Sequence, residues 1–295
     1  MSNEFKKWFY LGVLSLIWGT SFILIKKSLI GLTAYQLGAL RTVVTGFILF
    51  LAGYKHFKLI KKKNLMWLAV SGTCGTFIPS FFFSIAETEI DSAVVSILNS
   101  LVPLNTILLG LALFKITTTR QQVLGVLIGF LGTVFLILAG TDLNPNQNYY
   151  FAGYVIVSSL LYAVNVNVIK TYLQEVKPLT IAVGNYACIY IPALIVLFFT
   201  DFFSLKTFNH PDFGMSIFYV IFLSLFGTAI AKVLFSKLIQ ISNPVFASSV
   251  AYIMPIVAVF WGLLDGEKFN MHQLFATFII LFGVYLGNKK SKIIA

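Results

Sequence analysis

Ten apolar stretches divide this chain from end to end, over 8–26, 34–53, 65–87, 92–114, 121–140, 150–170, 178–200, 213–236, 245–264 and 272–288. Each is close to the ~20 residues that a helix needs to cross ~30 Å of hydrocarbon. With 58% apolar and 11% charged residues among 295, no water-soluble fold can hide so much apolar side chain. The expected fold class is an all-α membrane protein of ten transmembrane helices.

The connectors sort their cations. Taken alternately from the N-terminus, one set (the N-terminus, 54–64, 115–120, 170–177, the 232–243 region and the C-terminus) holds sixteen Lys and Arg. The other set holds four, Lys26, Lys27, Lys206 and Lys268, and Arg41 alone stays inside a span. The positive-inside rule therefore places both termini in the cytoplasm, in a multi-pass protein of the cell membrane. Eight of the ten acids fall on the opposite side. The net charge of +11 does not point to nucleic acid, because the cations flank spans, where they set topology and meet anionic headgroups. Cys74 and Cys188 are both mid-span and offer neither a disulfide nor a metal site. Lys6-Lys7 before an apolar run resembles a secretory signal. The run is long, carries Trp18 and lacks a small-x-small cleavage site, so it reads as a retained first helix.

The chain repeats itself. Shifted by 152 residues, 75–128 meets 227–280 without a gap and eleven of 54 positions are identical, among them Gly75/Gly227, Thr76/Thr228, Phe83/Phe235, Pro103/Pro255 and Gln121/Gln273. A shift of 144 superposes the earlier spans, Trp18 on Tyr162, Ser21 on Asn165, Lys26 on Lys170 and Arg41 on Asn185. The expected units are 8–140 and 150–288, joined by the turn-rich Asp142-Leu-Asn-Pro-Asn-Gln-Asn148. Five spans per unit force the second into the membrane upside down, the inverted repeat of many secondary transporters, with the substrate between the halves near the midplane.

Trp18-Gly19-Thr20-Ser21-Phe22 in the first span, Arg41 in the second, Pro103 and Pro255 in the fourth and ninth, and Gly266-Glu267-Lys268-Phe269 followed by Gln273 and Gly283 carry a resemblance to the drug/metabolite transporter superfamily, EamA type. It covers nearly the whole chain, as two EamA units. The resemblance implies a ten-helix transporter of small metabolites, with both ends cytoplasmic and spans one, four and six among the cavity walls. One departure is plain: Phe114-Lys115-Ile116-Thr117 stands where the family shows a Gly-Glu pair, so that glutamate's role is not carried over to the first half.

No enzyme constellation is present. His56, His210 and His272 are far apart, and no HExxH, glycine-rich phosphate loop or Ser/His/Asp set occurs. No cofactor or metal is expected. Polar groups inside spans are the candidates for function, because they must face protein or a wet cavity. Arg41 lies seven residues in from Ala34, ~10 Å deep, either meeting a substrate carboxylate or tying helices together. Lys232 is about as deep from the other side, with snorkelling to the inner headgroups as its plainer reading. Asn99, Asn105, Asn165, Asn167 and Asn185 suit polar solutes, or glue helices by hydrogen bonds. Trp18, Tyr162, Tyr186 and Tyr252 are mid-span aromatics with polar tips, Trp18 and Tyr162 at matching repeat positions. The substrate-binding candidates are Trp18, Ser21, Arg41, Asn99, Tyr162, Asn165, Tyr186, Lys232 and Tyr252; Pro103 and Pro255 are paired hinge candidates. All eight external acids, Glu87 and Glu267 included, read as lying at or beyond span ends. With no acid at the midplane the expectation is a facilitator or an exchanger driven by substrate gradients, with Glu87 and Glu267 left as proton carriers at the outer mouth.

The reading is a secondary transporter exporting amino acids or related metabolites by alternating access. Its alternatives are uptake of nucleobase- or vitamin-like solutes, or a membrane scaffold or sensor subunit without flux. The expected partners are a small-molecule substrate and lipid, with no nucleic acid, around a monomer.

Overall fold

The computed structural model describes residues 3–114, 120–143 and 146–288, so Lys115 to Thr117, Asn144-Pro145 of the linker and the cations of the C-terminal tail lie outside the described residues. Every described regular element is helical. The first two spans are α1 (Asn3–Ser28) and α2 (Ala34–Ala52); the third runs through α3 (Leu65–Gly72), a π-helical turn (Thr73–Phe77) and α4 (Ile78–Ala86). The fourth is α5 (Ser92–Asn99) and α6 (Val102–Phe114), followed by α7 (Arg120–Leu143). The second half contains α8 (Ala152–Tyr172), α9 (Pro178–Phe198), a short α10 (Leu205–Phe208) and α11 (Phe213–Phe222). A π-helical stretch (Leu223–Ile230) leads into α12 (Ala231–Ile241), and α13 (Pro244–Ser248), α14 (Val250–Leu264) and α15 (Met271–Asn288) complete it. Eight segments are long and apolar enough to cross a membrane, while the apolar stretches inside α7 and α15, Leu127–Gly140 and Met271–Gly283, are shorter.

Local chemistry sets the boundaries. Thr33 Oγ1 accepts from Gln36 N–H and Gln36 Oε1 accepts from Thr33 N–H, a capping box that starts α2. Asn270 and Gln273 make the same reciprocal exchange at the start of α15. At the end of α14, Gly266 takes φ +85°; Gly266 N donates to Leu263 O and Glu267 N to Gly262 O. This Schellman turn needs a residue without a Cβ and folds Glu267 back over its own helix.

The first half interlocks with the second. α1 packs on α14, α12 and α11, and α8 packs on α6, α4 and α3. α2 meets α9, and α7 meets α15. Under the sequence correspondence each contact maps onto another or onto itself. Along α7 and α15 the approach is so close that a Cβ on Gly283 would stand 2.7 Å from Gly125 O, the small-residue packing that lipid-embedded helices use. Large apolar side chains such as Phe47, Phe130, Phe260 and Phe278 point outward, as a lipid-facing surface requires.

Candidate functional site

A cavity of about 930 Å³, its mouth included, lies where α1, α4, α5, α8, α12 and α14 meet around the two π-helical segments. Its walls come in repeat-related pairs. Trp18 meets Phe235 edge-on with ring centroids 4.9 Å apart, and Tyr162 stacks near Phe83 at 5.8 Å. Ser21 lies against Gly227, where a Cβ would stand 2.7 Å from its Oγ, and Asn165 lies against Gly75, where a Cβ would collide with the amide. Both glycines sit in the π-helical segments, which fall at matching positions of the two halves. A π turn displaces backbone groups from the i−4 ladder and is frequent at functional sites. Here Trp18 Nε1 donates to Gly227 O at 2.9 Å, and Thr228 Oγ1 donates to Leu223 O, five residues back.

The charges break the symmetry. Arg41 Nε donates to Thr228 Oγ1 at 2.9 Å, and Lys232 Nζ donates to Thr76 Oγ1 at 2.7 Å, so the two deep cations rest on repeat-related threonines of the opposite half. With its amide turned to satisfy both ends, Asn185 also accepts from Lys232 Nζ at 3.1 Å. Lys232 is 8% exposed and lines the cavity, so it does not snorkel to the headgroups: its partners are buried hydroxyl and amide oxygens within the bundle. No carboxylate among the described residues is in salt-bridge range of either cation. An ammonium has three donors, which leaves Lys232 one for a solute. Asn99 Oδ1 and Ser236 Oγ, both in the cavity wall and buried, have no protein partner. Orphaned buried polar atoms of this kind call for an explanation.

Trp18, Ser21, Arg41, Asn99, Tyr162, Asn165 and Lys232 thus share one cavity, whereas Tyr186 and Tyr252 do not line it. Tyr186 is fully buried between α2 and α9, against Gly46, and Tyr252 packs on the main core. Asn105 and Asn167 act as glue, Asn105 Nδ2 donating to Ser159 Oγ and Asn167 Nδ2 to Thr106 O and Ala163 O. Pro103 is the second residue of α6, just past the break at Ser100–Leu101, where no helical N–H is missed; Pro255 lies inside α14, beyond the break at Ser249.

At one end of the bundle the acids at the span ends form a cluster that the sequence does not show. Glu267 is 8% exposed, and its Oε1 accepts from Lys26 Nζ at 2.7 Å, Ser92 N at 3.0 Å and Ser92 Oγ at 2.7 Å, while Oε2 accepts from Ala93 N at 3.1 Å. Lys26 also reaches Asp265 at 3.1 Å, and Lys27 pairs with the same carboxylate. Asp265 loses some hydration there, which raises its pKa, but the two lysines outweigh this and hold it below the usual range. Glu87 is 7% exposed in the same region. Acids at span ends are therefore not all in water: two are enclosed. The legible signal was Gly262 and Gly266 around Glu267, since a Cβ at Gly262 would collide with that carboxylate. At the opposite end of the bundle Lys170 Nζ donates to Ser242 O at 2.7 Å and Gln240 Nε2 to Val176 O at 2.7 Å.

Paired cavity walls, interlocked helices and a lipid-facing exterior define a polytopic membrane protein with a central cavity. The chain belongs to the EamA-like transporter family, which matches residues 6–138 and 151–288, and it is a membrane transporter of that family. It is similar to an uncharacterized transporter of Archaeoglobus fulgidus, 25% identical over 97% of this chain and 99% of the relative. It is also similar to the uncharacterized inner membrane transporter YedA of Escherichia coli K12, 26% identical over 92% of this chain and 87% of the relative. A protein of known crystal structure shares the fold over 97% of both chains, with a TM-score of 0.67 at 17% identity.

Proposed function

We propose that this protein exports small amphipathic carboxylates, amino acids first among them, by alternating access. In this reading the ten helices are two inverted five-helix repeats, 8–140 and 150–288, with both termini cytoplasmic. The matched π-helical segments, the paired walls and the exchange of partners between halves support it, because alternating access asks one frame to adopt two mirrored arrangements. The carrying observation is the convergence of Arg41 and Lys232 on one cavity without a carboxylate between them. Uncompensated buried cations are costly, and an anionic solute group relieves the cost. Asn99 Oδ1 and Ser236 Oγ then accept from an ammonium, and Trp18, Phe83, Tyr162 and Phe235 enclose an apolar side chain. Pro103 and Pro255 serve as hinges.

The test is a thermal-shift screen of the purified protein against amino acids and their amides. A ligand at 100 times its Kd stabilises by ~2.7 kcal/mol. Stabilisation by acids over amides is expected; equal response to both defeats the anion site. A preference for planar, uncharged solutes favours the nucleobase- or vitamin-like alternative, to which the aromatic walls are suited.

A further inference from the structure

Two glutamates are enclosed at the end of the bundle that carries the Lys26–Glu267 pair, and they are provided for unequally. Glu267 takes donors from Lys26, Ser92 and Ala93. Glu87, just past the last residue of α4, is as buried, yet among the described residues no side chain donates to its carboxyl and no cation lies in salt-bridge range; its one donor is the backbone N–H of Lys26. Its backbone N–H closes α4 by donating to Phe83 O, so the chain fixes it in place. Lys26 from α1 is committed to Glu267 and Asp265, and Arg41 from α2, whose Nε donates to Thr228, is not in salt-bridge range of Glu87. Span six, also packed on α4, brings the phenols of Tyr154 and Tyr162 to this half of its length, and Glu89 and Asp91 follow Glu87 in its own connector.

We propose that Glu87 is a proton-binding site whose occupancy is tied to closure of the external mouth. An ionised carboxylate enclosed with a single backbone donor and no paired cation is costly, and it takes up a proton instead. Burial first, and then the Glu267 carboxylate, push Glu87 well above the usual carboxylate range, against a weaker pull from the Lys26 and Arg41 charges and the Lys26 backbone hydrogen bond. When the end opens, water reaches the carboxyl and it releases the proton as Glu–COOH → Glu–COO⁻ + H⁺. The closed end therefore binds one proton more than the open end at pH values between the two pKa values. Acid favours closure, and opening gains as the pH rises.

This rests on the alternating-access reading, so the experiment must separate the two. Nitroxide labels go at Thr88 and Lys268, both exposed, after Cys74 and Cys188 are replaced, and their separation is read by pulsed EPR in nanodiscs. The parent should show a longer distance whose share grows with pH, the open-to-closed ratio rising by up to about tenfold per pH unit within the window. Glu87→Gln, which imitates the protonated acid, should hold the short distance at every pH. Glu87→Asp, which keeps an acid on a shorter stem, should keep the pH response with a moved midpoint. A Glu87→Gln curve that follows the parent's overturns the assignment. So does an unmoved Glu87→Asp midpoint, or a parent flat in pH while Glu267→Gln, with the neighbouring contacts cut, gives the long distance. If no variant gives a second distance, Glu267→Gln included, alternating access falls and the proton site falls with it.

Discussion

Replacing Glu267 by Gln removes one charge and one acceptor from a site that uses four donors. Oε1 holds Lys26 Nζ, Ser92 N and Ser92 Oγ, and Oε2 holds Ala93 N. In its best orientation the amide oxygen keeps the first three, now as bonds to a neutral acceptor, and its NH2 faces the Ala93 N–H. Bonds to a charged group contribute ~1.5–3 kcal/mol against ~0.5–1.5 for neutral ones, and an unsatisfied buried N–H costs ~1–3. The Lys26 side chain is 31% exposed and still has Asp265, which returns part of the loss. The net is ~2–4 kcal/mol against the closed end, a factor of roughly 30–1,000 in its population relative to the open one. Asp265→Asn, at a more exposed pair, should cost under ~1 kcal/mol. The assay is labelling of a cysteine at Ile25, buried in the cavity wall, by an impermeant thiol reagent in sealed right-side-out vesicles, with Cys74 and Cys188 replaced. Glu267→Gln should raise the rate far more than Asp265→Asn. A folded Glu267→Gln protein that labels at the parent's rate, or equal effects of the two changes, would refute the reasoning.

Arg41→Gln should weaken binding of a carboxylate solute by ~1.5–3 kcal/mol and spare its amide, read by thermal shift; equal loss for both with unchanged stability removes Arg41 from recognition. Gly227→Ala places a Cβ 2.7 Å from Ser21 Oγ and 2.9 Å from Leu223 Cδ1. It should destabilise by ~1–3 kcal/mol in a denaturation midpoint, and Ser21→Ala in the same chain should restore part of it. Pro103→Ala and Pro255→Ala should slow exchange in proteoliposomes more than they weaken binding; normal rates in both make the breaks matters of shape. Cysteines at Lys61 and Asn146 should label from opposite sides of the membrane, and labelling from one side contradicts the inverted arrangement.

A helical multi-span fold and two family units were legible, because apolar length is a local property that lipid imposes and a duplicated frame leaves Gly, Pro and Thr at fixed offsets. The cavity was legible for the same reason. Trp18 and Tyr162, or Ser21 and Asn165, stood out as mid-span polar groups at matching positions, and the structure gathers them. What stayed hidden depends on which side of a helix faces inward. Tyr186 and Tyr252 passed the same composition test, yet they face packing surfaces outside the cavity. Lys232 looked free to snorkel because its depth, not its rotation about the helix, was readable. The π-helical segments carry no sequence signature beyond Gly75 and Gly227. The contacts of Glu267 are not legible in the sequence, because they depend on Gly266 turning this connector acid back under α5.

The two halves share a frame and differ in charge, and that difference bears on mechanism. Identical halves would give two end states of equal energy, and a transporter needs only a solute to choose between them. Here the counterparts of Arg41 and Lys232 are Asn185 and Ser80, and the counterpart of Glu267 is Lys115, outside the described residues. The Glu267 end is joined by an enclosed carboxylate with a cation and three neutral donors. The Lys170 end is joined by carbonyl acceptors, Ser242 O for Lys170 and Val176 O for Gln240. A charge-assisted contact is roughly twice as strong as a neutral one, and Lys170 has two ion–carbonyl contacts, to Ser242 O at 2.7 Å and a long one to Ile239 O at 3.5 Å, where Glu267 has four. On the alternating-access reading the frame supplies two arrangements and the charges rank them, with closure at the Glu267 end favoured. A solute carboxylate held by Arg41 and Lys232 would add a negative charge to a bundle whose enclosed acids both lie toward that end. In that same reading, its repulsion from the ionised Glu267 lowers the preference for keeping that end closed.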